Sequence, residues 1–130
     1  MEAQLENTIA ILERTPAVLE ALLRGLPQKW TENNEGGGTW NVPGVLAHLV
    51  HCEHVDFMPR LRIILEFGES KAFTPLDREG SARSGEGKTL DQLLDEFREI
   101  RAKNIAELRS LDLQPEDMNR RGMHPLLGSV

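Results

Sequence analysis

The densest set of side chains able to bind a metal or move a proton is the run His48-Leu49-Val50-His51-Cys52-Glu53-His54-Val55-Asp56. Imidazole and thiolate are ligands that zinc takes readily, and a carboxylate beside them can serve as a general acid or base. On a helix that turns about 100° per residue, His48 and Cys52 stand one turn apart on the same side, whereas His51 points about 60° away and His54 further still. One straight helix therefore cannot close all three histidines on one ion. His48 and Cys52 can bind zinc as a pair, but a stable site needs a third and usually a fourth ligand from elsewhere. The competing reading is structural. In it His48 is a hydrogen-bonded histidine near the core, Cys52 packs as a small apolar residue, His51 and His54 are solvated, and Glu53 and Asp56 form surface charges or local ion pairs. His124, in Met123-His124-Pro125, reads as a loop histidine. Nucleophilic chemistry has little support: Ser70, Ser81, Ser84, Ser110 and Ser129 sit in or beside expected loops or at helix ends, with no glycine elbow. Gly36-Gly37-Gly38 neither follows a strand nor leads to a lysine, so it reads as a linker and not a phosphate loop.

The elements that must position these residues are helical. Leu5, Ile9, Leu12, Pro16, Leu19, Leu23 and Leu26 alternate spacings of four and three, the apolar stripe of a first helix. Thr15-Pro16 predicts a kink within it, and Gly25 and Pro27 mark its end. Residues 31–39 are polar and glycine-rich and read as a loop. A second helix starts near Asn41, a good N-cap, with Pro43 in the first turn, and runs to about Phe67 before Gly68. Val45, Leu46, Leu49, Val50, Phe57, Leu61 and Ile64 give it a broad apolar side, which predicts a central, well-buried helix that needs a further helix or a second subunit to cover it. Residues 68–88 read as a long loop. Thr89 caps a third helix whose stripe is Leu90, Leu93, Leu94, Phe97, Ile100, Asn104, Leu108 and Leu111. The tail from Asp112 to Val130 has no helical period and no closing element.

A chain of 130 residues predicts a single domain, large enough to bury a core without metals or disulfides. Its net charge of -6 argues against a nucleic-acid partner, because nonspecific affinity for phosphates comes from clustered Lys and Arg. Cys52 is the single cysteine and cannot form an internal disulfide, which suits the cytoplasm. Residues 1–10 include Glu2 and Glu6 and lack a signal peptide's basic start and apolar run, and no stretch approaches the roughly 20 apolar residues that span a bilayer.

Thr39-Trp40-Asn41-Val42-Pro43-Gly44-Val45-Leu46-Ala47-His48-Leu49 resembles the tryptophan, cap and histidine signature that opens the second helix of DinB-like proteins. The resemblance continues through Leu90-Asp91-Gln92-Leu93-Leu94-Asp95-Glu96-Phe97 and Arg101 into Gly122-Met123-His124-Pro125-Leu126-Leu127-Gly128-Ser129-Val130, and so covers essentially the whole chain. It implies an all-α four-helix bundle in which three histidines hold a divalent metal, commonly zinc or nickel. The implied activities are metal-dependent hydrolysis, thiol transfer with a low-molecular-weight thiol, or maleylpyruvate isomerisation. Carried over residue by residue, His48 becomes a metal ligand and Trp40 the residue that packs at the helix start, by the site entrance. Cys52, His51 and Glu53 are candidates for auxiliary ligands or supporting groups. The other two family ligands form a His-x-x-x-His pair on a final helix that this sequence does not contain. The expectation is thus three main helices of the bundle with the fourth missing, a C-terminally incomplete domain over 1–130, inactive unless the missing ligands are supplied. The alternative is a non-enzymatic helical bundle that homodimerises through the face the absent helix would cover. A third reading is a local metal module built on His48 and Cys52. Expected partners are a second copy or a small-molecule thiol or other substrate, with no nucleic acid and no membrane.

Overall fold

Three long amphipathic arms carry the fold, and a computed structural model describes them over residues 2–130. The elements are α1 (Glu2–Leu23), a single turn α2 (Gln28–Thr31), α3 (Val42–Val55), α4 (Phe57–Phe67), α5 (Arg78–Gly85), α6 (Leu90–Ser110), and a small antiparallel hairpin of β1 (Met123–His124) and β2 (Gly128–Ser129). No described helix is long and apolar enough to cross a membrane.

The helix ends follow local chemistry. Asn41 Oδ1 accepts the Gly44 N–H at 3.0 Å and opens α3. Thr89 opens α6 with a reciprocal pair: its hydroxyl accepts from Gln92 N at 3.1 Å, and Gln92 Oε1 accepts from Thr89 N at 2.9 Å. Pro16 lies inside a continuous α1. Proline has no N–H and crowds the carbonyl four residues back, here that of Leu12. Arg101 of α6 supplies the lost donor, its Nη1 bonding Leu12 O at 3.1 Å.

The expected second helix is two helices. Pro59 explains the break, because it cannot donate to the Val55 carbonyl and crowds it. The interruption falls at Asp56 (φ -107°, ψ -66°), between α3 and α4. A second difference concerns residues 68–88, which contain α5 packed along α3. The broad apolar side of α3 is thus divided between α6 on one flank and α5 on another. The tail also gains structure. Gly122 and Val130 exchange main-chain bonds at 3.1 and 3.0 Å, and Phe73 N donates to Met123 O at 2.9 Å, tying the hairpin to the chain ahead of α5.

α6 is the hub on which α1 and α3 both pack. Leu46, Ala47 and Val50 of α3 and Leu93, Leu94 and Phe97 of α6 make the central cluster, with Leu19 and Leu23 of α1 against it. Burying such a side chain stabilises the fold by about 1.5–3 kcal/mol, so this layer fixes α3 and hence the direction of its histidines.

Candidate metal centre

α3 places the four neighbouring candidates in different environments. The His48 ring is partly buried, with the Trp40 ring on it at a centroid distance of 4.9 Å and a tilt of 39°. Its Nδ1 is 3.0 Å from the hydroxyl of Ser81, a residue of α5 that is only 1% exposed. Its Nε2 is 3.6 Å from the Cys52 sulfur. The one-turn pairing of His48 and Cys52 is therefore present in space. Burial pushes the Cys52 thiol above its ordinary range, and the charges of Asp56 and Glu53 add to the effect against the opposing Arg60. The Cys52 thiol is thus harder to ionise than an exposed one, which works against a thiolate at this place.

His51 is buried and not solvated. Its Nδ1 lies 3.3 Å from Ser84 Oγ, while its Nε2 has no hydrogen-bond partner. Gly80 sits against this ring so closely that a Cβ there would lie 2.9 Å from His51 Cε1. Glu53 points to α6. Its Oε1 accepts from Arg101 Nη2 at 2.6 Å and Nε at 2.9 Å, and its Oε2 accepts from Asn104 Nδ2 at 3.0 Å. With both oxygens so engaged, Glu53 is a buried structural ion pair and not a companion of His48. Asp56 pairs with Arg60 at 2.6 Å. His54 is exposed and lies 3.2 Å from Glu96. Burial works against ionisation of Glu96, but hydrogen bonds from Lys88 and His54 outweigh it and hold the carboxyl below its ordinary range. His124 is engaged in its own hairpin: its Nδ1 accepts from Leu126 N and Leu127 N at 3.1 and 3.2 Å and shapes the turn.

Ser81 and Ser84 were not legible as site residues, because α5 has no apolar period to announce it. The spacing of two hydroxyls three residues apart was the signal available.

A divalent metal can be tested against these donors. His48 has the features of one ligand, a ring nitrogen held by a hydrogen bond that orients the imidazole. Among the described residues, however, no three His, Cys, Asp or Glu side chains come together as a metal-holding group. The described residues thus fit one ligand of a centre and do not fit a whole one.

A mainly helical bundle with a supported histidine on its central helix defines the class. The chain belongs to the DinB superfamily, whose family model matches residues 11–129. Among solved structures the chain is similar to YfiT from Bacillus subtilis, described as a probable metal-dependent hydrolase with an unusual four-helix bundle topology. The two share 22% identity with a TM-score of 0.77, over 96% of this chain and 70% of that of YfiT, and this likeness establishes the common fold. No curated protein matches the sequence significantly.

Proposed function

We propose that the chain is part of a metal-dependent enzyme, a hydrolase or a low-molecular-weight-thiol transferase, to which it contributes His48 as a ligand to zinc or nickel. The observation that carries this reading is the His48 ring itself, oriented on Nδ1 by a buried hydroxyl and covered by Trp40. Membership of the DinB superfamily and the description of YfiT support the reaction class. A bound ion of this kind supplies a Lewis acid and a hydroxide or thiolate nucleophile near neutral pH. In this reading the remaining donors come from outside residues 2–130, on a further helix with a His-x-x-x-His pair, and residues 1–130 alone are inactive. A reducing, cytoplasmic setting suits the buried thiol of Cys52.

Metal analysis tests this directly. Residues 1–130 are measured beside a version extended by such a helix. The extended protein is expected to retain about one zinc or nickel per chain, and its His48→Ala variant only background. Full metal retention by His48→Ala would sink the proposal.

A second reading, a non-enzymatic bundle that pairs with its own copy, is favoured by an apolar groove of about 600 Å³ whose walls include Leu19 and Leu23 of α1 and Val45 and Leu49 of α3.

A further inference from the structure

We infer that two serines of α5 set opposite tautomers on two histidines of α3, and that Ser81 is thereby the positioning residue of His48. The consequence for a metal rests on the reading of His48 as a ligand; the tautomers themselves do not.

Hydroxyls three residues apart on α5 meet histidines three residues apart on α3, Ser81 with His48 and Ser84 with His51. The pairs differ in where the hydroxyl proton goes. Ser84 donates to the Gly80 carbonyl at 2.9 Å, one turn back on its own helix. Its oxygen is then left to accept, so His51 carries its hydrogen on Nδ1 and presents a bare Nε2, the atom that is buried without a partner. Ser81 is 1% exposed, and His48 Nδ1 is its hydroxyl's one hydrogen-bond partner among the described residues. Buried polar hydrogens are satisfied in the great majority of cases. Ser81 therefore donates, Nδ1 accepts, and neutral His48 carries its hydrogen on Nε2, directed at the Cys52 sulfur 3.6 Å away.

The difference has a use. A hydroxyl accepts as readily as it donates. Were His48 to serve as a ligand through Nε2, its ring hydrogen would sit on Nδ1 and Ser81 would accept from it, the role Ser84 already plays for His51. Ser81 can thus hold the His48 ring in either tautomer.

Long-range ¹H–¹⁵N correlation spectra of histidine-labelled, metal-free protein, recorded where both imidazoles are neutral, read each tautomer. His48 is expected with hydrogen on Nε2 and His51 with hydrogen on Nδ1. Ser81→Ala should raise the minor tautomer of His48 several-fold and leave His51 as it was; Ser84→Ala should do the reverse. In the extended, metal-holding protein, Ser81→Ala should weaken zinc binding by about 10- to 100-fold. Wild-type His48 with hydrogen on Nδ1, or a His48 ring spectrum unchanged by Ser81→Ala, overturns the inference even if His48 proves to bind metal. Metal retained by His48→Ala overturns the functional reading and leaves the tautomers standing.

Discussion

Arg101 joins three helices through one guanidinium. It pairs with buried Glu53 of α3, lies with its Cζ 4.8 Å from the centroid of the Phe97 ring on its own helix, and bonds the Leu12 carbonyl that Pro16 leaves bare on α1. Removing one partner of a buried ion pair leaves the other uncompensated, at a cost of about 3–5 kcal/mol. Arg101→Met is expected to lower the unfolding free energy in urea by that amount. Adding Glu53→Leu should recover much of the loss, since two apolar side chains leave no buried charge. Pro16→Ala restores a main-chain N–H that can take the Leu12 carbonyl, so Arg101→Met should cost about 1 kcal/mol less in that background. An equal cost in both backgrounds would mean that the bond from Arg101 to Leu12 contributes nothing. Helical spacing identified Glu53 as a neighbour of the histidines. It could not show which helix Glu53 faces, because that depends on how α3 is rotated against α6, a property of the packed layer and not of either segment.

At the scale of elements, α1 was legible from its apolar period, and the start of α3 and the whole of α6 because apolar period and capping residues agree. Pro59 was the overlooked signal for the break between α3 and α4. α5 was hidden for a different reason: Arg-Glu-Gly-Ser-Ala-Arg-Ser-Gly has no apolar stripe. It packs by smallness instead. A Cβ on Gly80 would stand 2.9 Å from His51 Cε1 and 3.0 Å from Asp77 Oδ2, and one on Gly85 would stand 2.7 Å from Ala47 Cβ. Composition marks such a segment as a loop, and only the surface of α3 makes it a helix with a place to lie. This gives a test by sign. Glycine to alanine inside an exposed helix stabilises by roughly 1 kcal/mol, whereas overpacking a close contact costs about 1–3 kcal/mol. Gly80→Ala should therefore lower the thermal midpoint and shift the His51 ring resonances. A raised midpoint would show that α5 does not sit tightly on α3.

For the molecule as a whole, the open side lies between α1 and the α3–α4 arm. There the groove beside Trp40 is followed by a second cavity of about 280 Å³, lined by Leu12, Phe57, Met58 and Leu61 with Glu53 and Arg101. Beyond its inward stripe, α1 also exposes Ile11 (70%), Val18 (60%) and Leu22 (64%), spaced seven and four residues apart as on one side of a helix. Apolar surface gathered in this way marks an interaction face more often than scattered single residues do. A further helix and a second copy of the chain would both bury it, and the two differ in what concentration does. If copies pair through this face, residues 1–130 should sediment as a dimer that dissociates on dilution. A charge in the seam should then prevent pairing, so Val18→Glu should sediment as a monomer with unchanged far-ultraviolet circular dichroism, its site being exposed and its cost to the monomer small. A wild-type chain that stays monomeric and well folded across the same concentrations removes the homodimer and leaves the groove to a further helix. In that case the extended protein should lose stability on Val18→Glu, because the new charge would be buried beneath the added helix.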